Sequence, residues 1–425
     1  MASIADAGAI SAPWWKEPTK EQWLAWVASW LGWMLDAFDF TIFLLIMVPI
    51  SQEFNVPLTA VAFVVSITLW LRLVGAVGSG WLCDRIGRKK PLMMSIMWYS
   101  LCNFIAGFAP SFGFLAFFRS ILGIGMGAEW PAGAALAMES WPARSRGLMS
   151  GLLQGSWGLG FLLASVCYGA LYSTIGWRGL LWIGILPAFA CVYIRFFVKE
   201  SEVWRKNHDN QKLGAKEIRQ PLLTIFKPGL LGNTITACLW MCGQFLVYYS
   251  LFSVFAAWLQ KDLKFGPAAV ATPIALANFV AFFGMGFWGY MADRIGRRLA
   301  IMIPLVVGCL VAPIYLLSTD LFWITAGFAL QGWFSGAIYA LQPAYLNERF
   351  PTEVRATAAA FCYHSGAILG GIVPPLLTYY AVDRKLGFAT PMLCGIILGA
   401  TVGIFALLLG PETKGTVFKS DVVVR

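Results

Sequence analysis

Charged residues are scarce in this sequence: they make up 12% of its 425 residues, whereas hydrophobic residues make up 59%. So little charge excludes an ordinary soluble protein. Long apolar runs take the place of the missing charge. Because a helix of about 20 apolar residues spans roughly 30 Å of hydrocarbon, the composition favours a chain that crosses a membrane repeatedly.

Histidine is rarer still, with 2 residues in the chain, and of these His364 is the one that falls in an apolar run. The 9 cysteines lie in or beside apolar runs and form no C-x-x-C pair. This pattern excludes a disulfide framework and a zinc site. The sequence also offers no nucleophile–base pair and no phosphate-binding loop. It therefore predicts a protein that is not an enzyme and that holds no cofactor or metal.

Negative charge is in deficit, and the net charge of +10 could suggest a nucleic-acid partner. The distribution of the 31 Lys and Arg residues argues against that interpretation. With both termini placed in the cytoplasm, most of them fall in cytoplasmic segments. The external ones are Arg178, Lys261, Lys264, Arg384 and Lys385. This asymmetry follows the positive-inside rule and predicts the orientation. No nucleic-acid partner is expected, and the polar residues 1–22 predict no signal peptide.

Twelve apolar runs are long enough to span a bilayer. They lie near residues 23–49, 58–83, 91–109, 112–138, 147–172, 179–198, 230–259, 267–291, 299–317, 321–346, 354–380 and 390–410. Six fall in each half of the chain. We therefore predict an all-α membrane protein whose twelve transmembrane helices form two six-helix bundles, 23–198 and 230–410. A cytoplasmic N-terminal segment (1–22), a basic linker (199–229) and a cytoplasmic tail (411–425) complete the predicted division.

Two motifs recur at one spacing. The sequence G-W-L-C-D-R-I-G-R-K from Gly80 returns as G-Y-M-A-D-R-I-G-R-R from Gly289. The sequence E-S-W-P-A-R-S-R from Glu139 returns as E-R-F-P-T-E-V-R from Glu348. In each motif the second copy begins 209 residues after the first. A shared spacing of two separate motifs indicates a tandem duplication.

The doubled G-x-x-x-D-R-x-G-R-[K/R] motif resembles the major facilitator superfamily of transporters, and the resemblance covers nearly the whole chain. It implies the major facilitator fold and transport by alternating access. In that family the basic corners and the acid after the fourth helix form a cytoplasmic charge cluster that holds one conformation. A solvated surface pair is the competing interpretation for Glu139. The resemblance thus implies gating residues in both copies: Asp84, Arg85, Gly87, Arg88, Glu139, Arg144, Asp293, Arg294, Gly296, Arg297, Glu348 and Arg355.

Charged residues inside the spans are concentrated in the first half. Asp36 and Asp39 are three residues apart and share one face of the first helix. Arg72 falls near the middle of the second span, and Arg119 and Glu129 lie in the fourth. An unpaired charge at mid-bilayer costs at least ~2.5 kcal/mol on insertion scales. We therefore expect these residues to line an ion or substrate path, although a purely structural ion pair is the alternative.

The charges predict a coupling mechanism. A substrate anion in the cavity needs a cation, and Arg72 and Arg119 are the basic residues expected to face it. Asp36, Asp39 and Glu129 are the predicted proton carriers, with either aspartate favoured for its proximity to Arg72. Polar residues along the spans complete the predicted substrate contacts: Gln154, Gln244, Tyr248, Asn278 and His364. For His364 a packing role is an equal alternative.

Local matches point to one branch of the family. The sequence D-A-F-D-F from Asp36, the mid-span Arg72 and G-I-G-M-G-A-E-W from Gly123 resemble the sialate/proton symporter branch, which holds bacterial sialic acid permeases and fungal lactate/pyruvate permeases. Segment 199–227 is too short for the two extra spans of the sialic acid permeases. We therefore predict a monomeric carrier of the cytoplasmic membrane that imports a small organic anion with protons, a monocarboxylate such as lactate or pyruvate. Symport of sialic acid, an aromatic acid or another metabolite, and a sugar-type facilitator, are the alternatives.

Overall fold

The computed structural model describes residues 13–213, 221–265 and 267–419. The remaining parts of the predicted N-terminal segment, linker and tail lie outside the described residues. Regular structure within these ranges is helical, without a β-strand. The α-helices are α1 (Lys20–Glu53), α2 (Leu58–Ile86), α3 (Lys89–Ala106), α4 (Phe112–Ser140), α5 (Arg146–Ile183), α6 (Ala188–Phe197), α7 (Glu202–Leu213), α8 (Pro221–Thr224), α9 (Pro228–Phe252), α10 (Phe255–Lys261), α11 (Pro267–Ile295), α12 (Arg297–Leu316), α13 (Leu321–Ala340), α14 (Gln342–Glu348), α15 (Arg355–Gly370), α16 (Val373–Thr378) and α17 (Ala389–Leu409).

Local sequence explains where several helices begin. Thr19 and Gln22 form a capping box at the start of α1, which satisfies two otherwise free backbone N–H groups. Ser111 caps α4 by accepting a hydrogen bond from the backbone N–H of Phe114. Asp320 caps α13 in the same manner and lies 209 residues after Ser111. The helix starts therefore repeat with the sequence motifs.

Eleven helical segments of the described chain are long and apolar enough to cross a membrane. Helix α3 takes the twelfth place, between α2 and α4, although Lys89, Lys90 and Asn103 make it less apolar than the others. Helix α5 includes the fifth span and continues through a kink at Gly176 into the sixth. The all-α fold with twelve transmembrane helices in two six-helix bundles is confirmed.

The duplication has the same packing geometry in both halves. Gly127 of α4 lies so close to the backbone oxygen of Arg72 on α2 that no Cβ would fit between the helices. Gly336 of α13 lies in the same way against the backbone oxygen of Ala281 on α11. Both contacts are related by the 209-residue shift. Small residues at these positions let paired helices approach closely, so the spacing of the glycines fixes how the helices cross.

The halves meet where the repeated motifs lie. We call the end of the helices that carries Gly87 and Gly296 the corner end, and the other the opposite end. Gly80 of the first half packs on the backbone of Ala356 and Thr357 in the second at the corner end. At the opposite end, by contrast, the apolar cluster around Ile42, Ile46 and Leu180 draws its buried residues from the first half alone, over residues 38–181.

Candidate functional site

Arg72 and Asp36 form a buried ion pair between α2 and α1. The Arg72 Nη2 donates to both carboxylate oxygens of Asp36 at 2.7 Å. The aspartate is fully buried, whereas the Arg72 side chain is 13% exposed. Phe40 and Trp157 flank the guanidinium, with their ring centroids 5.6 and 5.8 Å away. Of the two aspartates that the sequence offered as partners of Arg72, Asp36 is therefore the one that pairs with it, and the arginine is the accessible member of the pair.

Arg72 has donors left over after it binds Asp36. Its Nε is buried, and no described residue accepts a hydrogen bond from it. An arginine offers five N–H donors in a planar fork, and the contact with Asp36 uses Nη2 alone. The guanidinium can therefore bind a second carboxylate beside Asp36.

Glu129 lies one helical turn from Asp36. Its carboxyl group packs directly against Gly32, which precedes Asp36 by four residues on the same face of α1. The Glu129 side chain is buried, and its Oε2 has no hydrogen-bond partner among the described residues. A small cavity adjoins it, and Trp33 and Gln154 contribute to the cavity wall. The structure thus brings two of the three predicted proton carriers together.

Asp39 and Arg119 belong to a second polar layer nearer the opposite end. Arg119 Nη1 donates to Asn103 Oδ1 at 2.7 Å, and its guanidinium lies 4.2 Å from the ring centroid of Phe43. Asp39 Oδ1 and Asn103 Nδ2 both lie beside Gly184. Within the described residues, neither carboxylate oxygen of Asp39 has a hydrogen-bond partner. This layer is buried, so Arg119 is less accessible than Arg72.

Three glutamines join the halves at mid-depth. Gln154 Nε2 of α5 donates to Gln342 Oε1 at 3.1 Å, and Gln342 Nε2 donates to Gln244 Oε1 of α9 at 2.7 Å. The chain continues from Gln244 Nε2 to the backbone oxygen of Ile338. Gln154 and Gln244 are among the predicted substrate contacts, whereas Gln342 is not. The available sequence signal was Pro343 directly after Gln342, because a proline inside a span marks a break in the helix, and α14 begins there.

The second half contributes aromatic rings to the centre. Tyr363 of α15 stacks on Trp130 of α4, with ring centroids 4.2 Å apart. Phe245 lies 5.3 Å from Tyr363, and Tyr248 lies 5.1 Å from Tyr339. The predicted contact Tyr248 is therefore part of an aromatic wall that reaches the first half through Trp130.

Two predicted contacts differ in their surroundings. His364 is buried, and its Nδ1 lies 3.0 Å from the backbone oxygen of Ala360, one turn earlier. That contact is typical of a packing histidine. Asn278 is exposed and donates to the backbone oxygen of Ile274 on its own helix. Neither residue hydrogen-bonds to the central charges.

The two aspartates of the predicted gating set, Asp84 and Asp293, each contact the other half of the chain. Asp84 accepts hydrogen bonds from the backbone N–H groups of Ala356 at 3.2 Å and Thr357 at 3.0 Å, in the first turn of α15. Asp293 accepts from the corresponding two N–H groups in the first turn of α5, both at 2.9 Å. The free N–H groups and the dipole at a helix start favour a carboxylate there. Each aspartate thereby holds the halves together at the corner end.

Glu139 is bound by arginines from both halves. Arg88 Nη2 of the first half and Arg355 Nη1 of the second each donate to Glu139 Oε1 at 2.7 Å. All three side chains are buried. A buried charge network needs each member, because removing one leaves the others unpaired. The buried geometry argues against a merely solvated pair at Glu139.

Glu348 repeats this arrangement with a partner that the sequence analysis missed. Arg297 Nη2 of the same half donates to it at 3.0 Å, and Arg146 Nη1 of the first half donates at 3.1 Å. The predicted Arg144 is exposed in the turn before α5, whereas Arg146 is buried. The repeat contained the signal, since Arg146 is the residue 209 positions before Arg355.

Two further arginines of the predicted gating set lie at the same two corners. The guanidinium groups of Arg85 and Arg294 lie over the rings of Trp81 and Tyr290, at 5.1 and 4.7 Å from the ring centroids. Each ring precedes its arginine by four residues and so lies on the same helix face. These arginines therefore cover the outer faces of the corners.

The corner glycines leave room for two further carboxylates. Gly87 and Gly296 have φ of 102° and 99°, which favours glycine, and a Cβ on them would collide with Glu200 and Glu412 respectively. Each glutamate accepts from two backbone N–H groups where α3 and α12 begin, at 2.9–3.1 Å. Burial raises the pKa of Glu412, but backbone N–H donors outweigh this effect and hold the pKa below its ordinary value.

Comparison with a known structure identifies this arrangement of helices. The chain superposes on the structure of the MFS (major facilitator superfamily) proton:xylose symporter XylE bound to 6-bromo-6-deoxy-D-glucose, with a TM-score of 0.68 and 17% sequence identity. The match covers 95% of this chain and 97% of that one. The helices of this chain thus have the arrangement of that fold.

Sequence comparison agrees over almost the full length. The chain is 28% identical over 415 residues to the probable 4-methylmuconolactone transporter of Cupriavidus pinatubonensis. The alignment covers 95% of this chain and 93% of that protein. It is 25% identical over 417 residues to the sialic acid transporter NanX of Escherichia coli, with coverage of 97% and 100%. The family model of the Major Facilitator Superfamily matches residues 29–277 and 240–421. The chain belongs to the Major Facilitator Superfamily and is a multi-pass integral membrane protein.

Proposed function

We propose that this protein imports a small organic anion together with protons, and that the anion is a monocarboxylate such as lactate or pyruvate. The relatives named for sialic acid and 4-methylmuconolactone support a substrate of the organic-acid class. The corner end faces the cytoplasm of a bacterial inner membrane in this proposal, with both termini on that side. The units 23–198 and 230–410 move against each other during the cycle, and the monomer is the working unit.

One observation carries the proposal: the Arg72 guanidinium is partly exposed although its partner Asp36 is buried, and Asp36 binds only one of its nitrogens, Nη2. A substrate carboxylate can take the free side of the guanidinium or replace Asp36 on it. Arginine suits this role because its fork donates two parallel hydrogen bonds to a carboxylate, which lysine cannot do.

Proton uptake follows from the displacement of Asp36. A carboxylate that loses its cation in a buried site is strongly disfavoured, so Asp36 takes up a proton when the substrate replaces it. Glu129, one turn away, is the acid that relays the proton towards the corner end. In the empty carrier Asp36 neutralises Arg72, so the carrier returns without a net buried charge. Substrate and proton therefore cross the membrane together.

Uptake into proteoliposomes tests the proposal. An inward-directed proton gradient is imposed, and accumulation of lactate, pyruvate, sialic acid, benzoate and glucose is measured. We expect lactate or pyruvate to accumulate above its external concentration and to lose that accumulation when a protonophore collapses the gradient. Glu53→Gln is the matched control, because Glu53 ends the same helix as Asp36 but pairs with Arg178 away from the centre. Equilibration of glucose without accumulation of any acid would refute the proposal.

A further inference from the structure

Tyr99 of α3 is fully buried in the first half, and the transport mechanism proposed above does not use it. Its hydroxyl forms no hydrogen bond with any described residue. A buried hydroxyl without a partner costs about 1–3 kcal/mol. A phenylalanine would fill nearly the same volume without that cost, so the hydroxyl needs an explanation.

Tyr315 has a hydroxyl of the same kind in the second half. It lies in α12, which corresponds to α3 by the 209-residue shift, and it is equally buried. Within the described ranges its hydroxyl is also without a partner, and the ring centroids of Phe255 and Phe328 lie 6.1 and 5.4 Å from its own. An unpartnered hydroxyl is therefore not by itself a sign of function. What distinguishes Tyr99 is the acids around it.

Three buried residues of α3 lie on one face of the helix. Ile96, Tyr99 and Asn103 follow one another at spacings of three and four residues, and each is fully buried. Because α3 begins at the corner end, Ile96 lies nearer that end and Asn103 lies nearer the opposite end. Tyr99 is the middle member of this face.

The Ile96 end of the face lies beside Glu129. A Cβ on Gly32 of α1 would meet both the Ile96 side chain and the Glu129 carboxyl group. Helical side chains lean towards the N-terminus of their helix, so the Tyr99 ring leans towards this end.

The Asn103 end of the face lies beside Asp39. Both side chains lie against Gly184, at the layer that contains Arg119. Seven residues separate Ile96 from Asn103, which corresponds to about 10 Å along the helix axis. A proton moves between two groups only within about 3 Å, or through one water. An intermediate carrier is therefore needed between the two acids.

The charges around the Tyr99 hydroxyl agree with this position. Among the described residues, the titratable groups that interact with it are, in decreasing order, Glu129, Asp39, Asp36 and the Cys191 thiol of α6. Helix α3 itself packs against α2, α4, α5 and α6 of the same bundle. A route along this face therefore lies inside the first half, away from the aromatic wall of the second.

We propose that the Tyr99 hydroxyl passes protons between Asp39 and Glu129. The role rests on the symport proposed above and adds a route within it. A hydroxyl can accept one hydrogen bond while it donates another. Protonated Asp39 gives its proton to the Tyr99 oxygen while the hydroxyl hydrogen passes to the Glu129 carboxylate, directly or through one water on either side. Asp39 is then ionised, Glu129 is neutral, and the phenol is unchanged once its hydroxyl rotates. Glu129 in turn exchanges protons with Asp36, one turn away.

Uptake into proteoliposomes tests this relay with two matched variants. Tyr99→Phe removes the hydroxyl and keeps the ring, and Tyr315→Phe removes an equally buried hydroxyl from the corresponding helix. Labelled lactate, pyruvate, sialic acid and benzoate are used, and initial uptake under a proton gradient, counterflow and the unfolding midpoint are measured.

The two variants should differ in one readout. We expect Tyr99→Phe to slow gradient-driven uptake at least about tenfold while counterflow stays within about twofold of the wild type. Its unfolding midpoint should equal or exceed that of the wild type, because an unpartnered hydroxyl is removed. Tyr315→Phe should match the wild type in uptake and in counterflow.

Failure of the relay and failure of the proposed function give different results. If the wild type accumulates an acid and Tyr99→Phe takes it up as fast as Tyr315→Phe does, the relay is wrong and the proposed symport stands. An equal loss of counterflow and gradient-driven uptake in Tyr99→Phe would also refute the relay, because the hydroxyl would then serve substrate binding or structure. If the wild type accumulates no acid, the proposed function fails and the relay fails with it.

A double variant gives an independent check. Two residues that carry a proton in series are not additive, so Tyr99→Phe with Glu129→Gln should take up the acid no more slowly than the slower single variant. Losses that multiply in the double variant would place the two residues on separate routes and overturn the proposal.

Discussion

The two halves of this protein are alike at the corner end and different at the centre. Asp84 and Asp293 make the same contacts with the start of a helix in the opposite half. At mid-depth the backbone contacts are again repeated, yet Arg72 of the first half corresponds to Ala281 of the second. The shared packing shows that the duplication is still intact where the side chains have diverged.

The divergence concerns every central charge of the first half. Its acids and arginines correspond, 209 residues later, to apolar or aromatic side chains. The pairs are Asp36 with Phe245, Asp39 with Tyr248, Arg72 with Ala281, Arg119 with Phe328, and Glu129 with Ile338. The second half therefore provides an aromatic wall, and the first half provides the charge. The parts that hold the halves together are duplicated, while the parts that would bind an anion are not.

Replacing Arg72 with the residue of its counterpart should have the largest effect. In Arg72→Ala the buried Asp36 loses its cation, and the substrate loses its anchor. Truncating one member of a buried charge pair costs about 2–5 kcal/mol, so we expect uptake to fall to ~1% of wild type or less. Initial uptake rates in proteoliposomes measure it.

The double variant Arg72→Ala with Asp36→Asn separates function from folding. It removes both charges, so its thermal stability should recover towards that of the wild type while transport stays lost. The counterpart change Ala281→Ser on α11 is the mild control. Substantial uptake by the stable double variant would show that Arg72 does not hold the substrate.

Breaking the repeated corner contacts should have a smaller and symmetric effect. Asp84→Asn and Asp293→Asn each weaken charge-assisted hydrogen bonds worth about 1.5–3 kcal/mol to a helix start. We expect each variant to transport roughly tenfold more slowly, with half-saturation nearly unchanged, because the corner end closes less readily. Normal turnover in both variants would argue against a gating role.

Arg146, which is not among the predicted gating residues, offers a sharper test of whether the charge cluster is repeated in the second half. Arg146→Gln breaks the contact with Glu348 and the donation to the backbone oxygen of Met138 at 3.1 Å. A loss of about 1–3 kcal/mol in unfolding free energy follows from the unsatisfied buried groups. Arg144→Gln, two residues away and exposed, should stay within about 0.5 kcal/mol of the wild type. Equal destabilisation in chemical denaturation would contradict this assignment.

The tail contact should have the smallest effect. The ring of Phe418 lies between Arg146 at 4.0 Å and Arg355 at 3.9 Å, measured from each guanidinium to the ring centroid. Because these arginines come from different halves, the ring stabilises their approach. Phe418→Ala should lower the free energy of unfolding by about 0.5–2 kcal/mol. It should also make the corner end more accessible to a thiol reagent. Phe418→Trp is the matched control, and lower stability in Trp than in Ala would count against a cation–π contact.

Much of the fold could be predicted from the sequence because the duplication repeats each motif in both halves. Two motifs with one spacing identify the halves, the corners and the family, and apolar runs place the helices to within a few residues. The third span, predicted at 91–109, forms a helix over Lys89–Ala106. The first span, predicted at 23–49, forms a helix over Lys20–Glu53. In both cases the helix boundary differs from that of the apolar run, because polar residues can lie inside a helix and apolar residues can lie beyond its end.

The detail of the central site could not be predicted in the same way. Asp36 and Asp39 were equal candidates for Arg72, since both lie on one helix face. Three residues also displace a side chain by about 4.5 Å along the axis and about 60° around it. This offset separates the Arg72–Asp36 pair from the layer that contains Asp39 and Arg119. The partner of a charged residue inside the membrane depends on how the helices cross. Glycines far away in the sequence set that crossing geometry.

The most direct test replaces each acid of the first half by its amide. Asp36→Asn, Asp39→Asn and Glu129→Gln are compared with Glu53→Gln in proteoliposomes, for substrate counterflow and for accumulation driven by a proton gradient. We expect Asp36→Asn, and to a lesser degree Glu129→Gln, to keep counterflow but lose accumulation, while the control keeps both. If all three amide variants still concentrate the substrate against its gradient, the proton does not travel through these acids and the proposed coupling is wrong.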